Sequence, residues 1–426
     1  MQELEFYALA DRTYRWFEPA HERDSIGIDV PNSQYDPLLG QQVLRELVDT
    51  AQRLERLGFD AVSWFEQHNT PLALVPNALT AAAFVAAKTE GIQIAPIGPI
   101  LNAYASPIRL AEEIALVDTL SGGRLSVGLP MGIGAQYHSY GTMSPLTARA
   151  RYREGIALLH KLWHEDGPFA WEGEHFNIPY VNPWPKPLQS PHPEIFIPAA
   201  GSRETIELAA KYDFVYQTVL TPPAILRKNM QLFRDIREEN GYPDDPNKVA
   251  AVLNVYVSET DESARREYEN YITWTMQNII RFPFHESFPP GHVSEPSFRA
   301  MRKGGYRSSD PSNVDLDGMF SSGFFGSPET VRQALADYVG EIGAGRVIVT
   351  LDAMMPTWMQ DKSMTLFAED IIPAFRRPDG LAAWQRRPKP GYQTHTELMA
   401  RNPKRAGVPH ISMGGDYFPV SGRPAN

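Results

Sequence analysis

The sequence predicts an α/β fold: a closed (β/α)8 TIM barrel with insertion loops and a C-terminal extension. Short β-branched or apolar runs alternate with amphipathic segments, and eight such runs can be counted. They spread over roughly 370 residues, which suits a barrel with insertions better than an open doubly wound sheet. The strand candidates are Leu4 to Leu9, Ala61 to Phe65, Ile92 to Ile97, Leu125 to Leu129, Glu194 to Pro198, Phe214 to Gln217, Val249 to Val257 and Arg346 to Leu351. Helical periodicity fills the intervals over Gln41 to Leu57, Pro76 to Lys88, Ile108 to Leu120, Ala148 to Trp163, Glu204 to Lys211, Pro223 to Glu239 and Pro328 to Ile342. Punctuation agrees with this reading. Ser327, Pro328 and Glu329 supply an N-cap, a first-turn proline and an acid at a helix start, and Gly58 and Gly343 follow helical patterns as stops.

Three segments break the rhythm: Asp11 to Gly40, His164 to Pro193, and Trp274 to Phe325. Long stretches of this kind inside a compact domain serve as lids or packing arms, and the aromatic-rich third one suits a lid or a subunit contact. After Phe375 the chain becomes dense in Pro, Gly and Arg with no helical period. The expected organisation is a barrel over residues 1–376, with insertions at about 11–40, 164–193 and 274–325, and a C-terminal arm over 377–426.

Composition narrows the function. A formal net charge of -11 and the lack of a basic run with interleaved aromatics argue against nucleic-acid binding. No apolar stretch reaches membrane-spanning length, and the opening MQELEFYALADRTYRWF is unlike a signal peptide, so a cytoplasmic protein without a membrane partner is expected. Zero cysteines exclude thiolate catalysis, cysteine-held iron–sulfur clusters and cysteine-bound zinc. His160 and His164 form H-x-x-x-H without the glutamate of H-E-x-x-H, so no metal site is expected there. The lack of cysteine leaves histidine–carboxylate metal sites open, and redox chemistry would need a borrowed cofactor.

Several blocks resemble the bacterial luciferase-like flavin-dependent monooxygenases, in that family's order. Asp60 to His68 (DAVSWFEQH) looks like the second strand and its acidic-histidine end. Ser106 to Glu113 (SPIRLAEE) and Asp118 to Arg124 (DTLSGGR) are similar to the third helix and the turn into strand four. Gly326 to Val331 and Leu366 to Pro373 resemble the last barrel unit and the closing helix. The charged residues Arg109, Glu112, Asp118 and Arg124 face the barrel's amino end and read as stabilising ion pairs.

The resemblance implies reduced FMN bound at the carboxyl end of the barrel, delivered by a separate flavin reductase, with O2 and a small-molecule substrate as further partners and a homodimer or homotetramer as the assembly. No G-x-G-x-x-G follows a strand and no G-x-x-x-x-G-K-[ST] occurs. Gly201, Ser202 and Thr205, after strand five and opening a helix, offer backbone N–H groups and hydroxyls to a phosphate; an ordinary N-cap is the alternative. Asn102 is placed to bond the pyrimidine edge of the flavin or to satisfy loop backbone. Tyr137 or His138, in the loop after strand four, is a candidate to face flavin or substrate, with a solvated loop histidine as the alternative. Met131 stands where luciferases have a phosphate-contacting arginine, so Arg203 is left as a possible helper. Gln67 replaces the catalytic histidine of luciferases proper and can hold but not exchange a proton, which argues against light emission. His68, with Glu66 beside it, is either a proton donor at the flavin or part of a buried network capping the strand. The peptide before Pro99 is taken as trans.

The expected reaction is oxygen transfer from a C4a-hydroperoxyflavin to a hydrophobic substrate in a dry pocket, with Trp358 near the end of strand eight as one apolar wall. The alternatives are an F420-dependent oxidoreductase on the same barrel, a metal-dependent hydrolase, and a non-catalytic flavin-binding relative.

Overall fold

The computed structural model describes residues 3–17, 25–137, 139–141, 144–199, 201–218, 223–278, 316–350 and 355–386, with four single positions between 289 and 299. Eight parallel strands make the main sheet: β1 (Glu5–Leu9), β2 (Ala61–Ser63), β3 (Gln93–Ile94), β4 (Ser126–Gly128), β7 (Glu194–Ala199), β8 (Val215–Thr218), β9 (Val249–Asn254) and β12 (Arg346–Thr350). Their order is β3-β2-β1-β12-β9-β8-β7-β4, and parallel bridges Ile94 to Leu125 and Ile97 to Gly128 join the two edges, so the sheet closes into the expected barrel. Gly128 permits that seam. A Cβ there would lie 2.9 Å from the Ile97 Cα and 3.0 Å from the Pro96 carbonyl oxygen.

Helices alternate with the strands: α1 (Pro37–Arg56), α2 (Ala78–Ala86), α3 (Pro107–Leu120), the single turn α4 (Gly134–Tyr137), α5 (Ala148–His164), α6 (Arg203–Lys211), α7 (Pro223–Glu239), α8 (Asp261–Asn278), α9 (Leu316–Ser321), α10 (Pro328–Ile342), α11 (Thr357–Leu366) and α12 (Ala383–Arg386). The first begins four residues before its predicted start, because Asp36 accepts from Leu38 N at 2.7 Å and Leu39 N at 3.2 Å and Pro37 fits the first turn. Ser327 caps α10 through Thr330 N, and Gly343 ends it in the left-handed region at φ 68°.

Strand alternation gives the barrel a packed interior, with Tyr7, Ala61, Ala95, Phe196, Val215, Ala250 and Ile348 facing one another. Below them, at the strands' first residues, Arg346 bonds Glu5 at 2.9 Å and Glu194 at 2.8 Å, while Gln93 links the Tyr7 hydroxyl to Ser126. The amino end is thus a plugged, hydrogen-bonded floor.

Some expectations need correction. The run Val249–Val257 divides: β9 stays in the barrel, whereas β10 (Tyr256–Val257) leaves it to pair with β11 (Phe325–Gly326) in a small parallel sheet. Residues 164–193 contain an antiparallel hairpin, β5 (Phe169–Glu172) and β6 (Asn177–Val181), whose turn is fastened by Glu154 of α5 through Trp171 Nε1, His175 N and Phe176 N. Of the charges read as ion pairs, only Arg109 has an acid partner, Glu113 at 2.6 Å. Asp118 accepts from Gln189 N and Nε2. Arg124 spends its guanidinium on carbonyls of Ala86, Thr89 and Ile92, where the end of α2 leaves acceptors unpaired. The Gly98–Pro99 peptide is cis, since prolyl bonds prefer trans only weakly.

The start of the predicted arm packs on the barrel's amino end. Buried Arg376 pairs with Asp60 at 2.6 Å, Ala383 N donates to Asp60, and Trp384 Nε1 donates to the Phe59 carbonyl. Residues 387–426, and most of the lid candidate at 274–325, lie outside the described residues.

His160 and His164 stack 3.9 Å apart on α5, and His192 meets His164 at 5.4 Å. Burial, and for His160 then the charge of His164, holds His160 at about 4; burial outweighs the bond to the Pro193 carbonyl and holds His192 at about 4. These folded-state values lie below the unfolded value near 6.5, so the unfolded chain takes up protons first as pH falls. Thermal stability is expected to decline as pH drops from about 6.5 to about 4, and to decline less in His192→Gln. Parallel declines in the two proteins over that window would contradict it.

Candidate active site

Glu66, just past the end of β2, organises the carboxyl end of the barrel. Its Oε2 accepts from Ala78 N at 2.8 Å, the first residue of α2, and its Oε1 accepts from Ile100 N at 3.0 Å, beyond β3. His68 Nε2 stands 3.2 Å from Oε1. With the carboxylate accepting on both oxygens, His68 donates through Nε2 and its Nδ1 accepts from the Tyr140 hydroxyl at 2.7 Å. Burial first, then the Glu66 charge, raises the Tyr140 hydroxyl above the usual tyrosine range. The three form a chain, Tyr140 to His68 to Glu66, able to hold a proton at His68.

Gln67 is fixed beside them, because Gln136 Nε2 donates to its Oε1 at 2.8 Å while Gln136 Oε1 accepts from Ile133 N at 2.7 Å. Asn102 is buried and its Nδ2 donates to the Met131 carbonyl at 3.3 Å and the Ala148 carbonyl at 3.0 Å. Its amide nitrogen thus joins the loop after β4 to α5, the backbone-satisfying alternative. The Met131 side chain packs against the core. His138 lies outside the described residues.

A second group gathers after β7. Gly201 takes φ 95°, Ser202 opens α6 in the N-cap position, and the Ser202 and Thr205 hydroxyls lie 2.8 Å apart. Ser202 makes no side-chain cap bond to its own helix. Its hydroxyl therefore does not serve the ordinary N-cap role, and the α6 N-terminus keeps its anion-attracting character. Across from it, Arg149 on the first turn of α5 stands 4.0 Å from Glu204. Burial pulls the Arg149 guanidinium below the usual arginine range while Glu204 holds it up. Tyr137 is raised by burial and drawn back by the same Arg149, which places Tyr137 in this group. Arg203 turns away to Glu207 at 2.7 Å and is exposed.

Between the two groups, the upper barrel interior is left unsatisfied. Ser63 and Gln217 sit two residues further along their strands than Ala61 and Val215, so alternation keeps them inside and nearer the carboxyl end. Both are buried, and neither Ser63 Oγ nor either polar atom of the Gln217 side chain has a hydrogen-bond partner. Among the described residues, no group of three or more histidine or acidic side chains is arranged to hold a metal ion, and no helix is long and apolar enough to cross a membrane.

The family model described as luciferase-like monooxygenase matches residues 26–344, well over half of the chain. The chain belongs to the luciferase-like monooxygenase family. This luciferase-like protein is 31% identical over 233 residues to the oxygenase component of flavin-dependent trigonelline monooxygenase from Acinetobacter baylyi, a match covering 53% of the chain and 62% of the relative. It is 31% identical over 162 residues to F420-dependent glucose-6-phosphate dehydrogenase from Kineococcus radiotolerans, covering 37% of the chain and 47% of that protein. These matches therefore span less than two thirds of the relatives' own length. Among solved structures, the oxygenating constituent of 3,6-diketocamphane monooxygenase from Pseudomonas putida, in complex with FMN, superposes with a TM-score of 0.64 at 20% identity, covering 89% of this chain and all of that one. At that identity the likeness shows the fold.

Sequence reasoning passed over Tyr140, Gln136 and Arg149 in this luciferase-like site. Tyr140 and His68 are 72 residues apart, so no local pattern could pair them. Arg149 did leave a signal: Arg149, Arg151 and Arg153 crowd the start of α5, where a helix favours acids, and that helix has no acid in its first turn. For Glu66, replacement by Gln turns one acceptor into a donor facing a backbone N–H. Glu66→Gln is expected to cost about 1–3 kcal/mol in urea unfolding; an unchanged midpoint would show that the carboxylate does not organise the barrel mouth.

Proposed function

We propose that this chain is the oxygenase component of a two-component system. It takes reduced FMN from a separate flavin reductase and uses O2 to oxidise a small, hydrophobic organic substrate. The observation that carries this reading is the α6 N-terminus: an uncapped helix end, two facing hydroxyls, a glycine with positive φ, and a partly buried arginine across from it. That donor set fits a phosphate monoester, with Ser202, Thr205 and backbone N–H groups as bonds and Arg149 supplying the charge that Met131 lacks. Tyr137, which feels the charge of Arg149, joins this group. The unsatisfied amide of Gln217 and hydroxyl of Ser63 fit the polar rim of a flavin ring resting on the barrel.

Bound reduced flavin supplies the two electrons that activate dioxygen. The chain positions and shields. His68, held between Glu66 and Tyr140, keeps one proton at a fixed place on the β2 side, and Gln67 offers an amide without exchanging protons. Trp358, on the first turn of α11 after β12, is half exposed and provides apolar surface for a substrate. Exposed Phe84 on α2 and Leu116 and Leu120 on α3 provide an apolar face for a homodimer or homotetramer. Reliance on a reductase and a cysteine-free sequence suit a cytoplasmic setting.

A second reading, hydride transfer with F420, is favoured by the F420-dependent relative. Anaerobic titration with reduced FMN and with reduced F420 separates them. Reduced FMN is expected to bind, and Ser202→Ala, Thr205→Val and Arg149→Ala each to weaken it by roughly 10-fold or more, as loss of a charge-assisted bond implies. Preferential binding of F420, with turnover that needs no oxygen, would replace the FMN reading.

A further inference from the structure

We propose that Asp11, just beyond the carboxyl end of β1, exchanges a proton with the molecule bound over the barrel mouth. The proposal rests on the reading of the mouth as the cofactor and substrate site, and it adds an acid–base residue that the strand-two histidine does not provide.

The placement comes from the backbone. Leu9 pairs with Ser63 and Thr350, and Ala10 N donates to the Ser63 carbonyl at 2.7 Å. Tyr7 faces the barrel interior, and continuing the alternation puts Leu9 and then Asp11 on the same side, one step nearer the mouth each time. Where the ladder of β1 and β2 ends, the Asp11 Oδ2 takes the next position by accepting from Phe65 N at 2.8 Å. The carboxyl is 2% exposed and lies beside the strand end that leads into Glu66, Gln67 and His68.

Nothing nearby neutralises it. Arg12 follows directly, but its guanidinium is turned to α1, with Nη2 on Thr50 at 3.0 Å and Nε 3.5 Å from Glu46, and it touches Asp11 only at the backbone carbonyl. The charged groups on the surrounding elements are Arg12 and Arg15 on its own segment, Glu46 on α1, Glu66 and His68 past β2, and Asp361 on α11. Of these, Arg12 alone exerts a pull, and burial outweighs both that pull and the Phe65 bond, raising the carboxyl to about 7. Asp60, buried to a similar degree, bonds two backbone N–H groups and pairs with Arg376. Asp60 is built as a strut, whereas Asp11 has one backbone bond and no counter-ion. A buried carboxyl balanced near neutrality at the carboxyl end of a barrel strand suits acid–base work. It gives its proton to an oxygen or nitrogen atom of the bound molecule and takes one back from solvent, so the sum of the two steps passes one proton from solvent to that molecule, regenerates the carboxyl and moves no electron.

Two measurements test this, one without cofactor. The folded value lies above the unfolded value near 3.8, so the stability linked to Asp11 is fully present below about 3.8 and is lost as pH rises through about 7. Asp11→Asn should therefore gain in melting temperature relative to wild type as pH rises from about 4 to about 7, and hold a constant advantage above that. A deficit that is the same at every pH would make Asp11 a strut and overturn the proposal. The second measurement follows reoxidation of bound reduced FMN by oxygen across pH. Wild type should show an ionisation near 7, absent in Asp11→Asn and retained in Asp11→Glu, with FMN affinity of Asp11→Asn within twofold of wild type and its rate reduced by about 100-fold. A variant with wild-type rate and pH profile would overturn the proposal and leave the flavin reading standing. Failure of wild type to bind reduced FMN would remove the flavin reading, while the melting series still decides whether Asp11 holds its proton. If Asp11→Asn does not fold, an infrared pH titration of wild type against Asp11→Glu decides: a protonated-carboxyl band that titrates near 7 and moves in the glutamate variant supports the proposal, and its absence overturns it.

Discussion

Closure of the barrel at the β3–β4 seam is the constraint on which the rest depends. The two edges meet only because Gly128 has no side chain to strike Ile97 and Pro96. The adjoining Gly98 is under a similar demand, since a Cβ there would fall 2.6 Å from the Cβ of Glu66. The same close approach that closes the sheet therefore brings Glu66 within reach of Ile100 N, and Glu66 in turn fixes the start of α2 and the ring of His68. Fold and site share one piece of geometry: loosening the seam would displace the proton-holding group with it.

The two ends of the barrel handle polarity in opposite ways. At the amino end, Arg346, Glu5, Glu194, Gln93, Tyr7 and Ser126 satisfy one another, and Arg376 locks Asp60. Such fully paired buried networks fix a structure and leave nothing to react. At the carboxyl end, Gln217 and Ser63 are unpartnered, the Ser202 hydroxyl does not cap its helix, and Asp11 is buried without a counter-ion. The unpartnered Gln217 and Ser63 side chains and the uncapped helix end are costly in the chain alone, a cost that a polar, anionic ligand offsets, whereas the Asp11 carboxyl is relieved by holding a proton. The direction of the strands thus separates the part of the protein that stabilises from the part proposed to bind.

Much of this was legible in the sequence. All eight barrel strands were located because each is a short apolar run bounded by helical periodicity, and helix starts such as Ser327-Pro328 announced themselves. The split of Val249–Val257 was not legible, because the apolar pattern runs straight through the point where the chain leaves the barrel for β11. Neither was the Arg376–Asp60 pair, whose members are 316 residues apart in sequence. The candidate site was legible where one short segment carries the proposed contacts, as in Gly201 to Thr205, and illegible where partners come from distant strand ends, as for Tyr140 with His68 or Arg149 with Glu204. Asp11 looked like the first residue of an insertion, and only the register of β1 against β2, with the bond from Phe65 N, brings its carboxyl to the end of β2.

The central claim is that the carboxyl end of this barrel holds FMN with its phosphate on the first turn of α6. A crystal structure of the protein soaked anaerobically with reduced FMN tests it most directly. The account predicts phosphate density against Ser202, Thr205 and the α6 backbone N–H groups with Arg149 alongside, and the ring over Ser63 and Gln217 between Glu66 and Tyr137. A phosphate bound elsewhere, or a ring outside the barrel mouth, would contradict it.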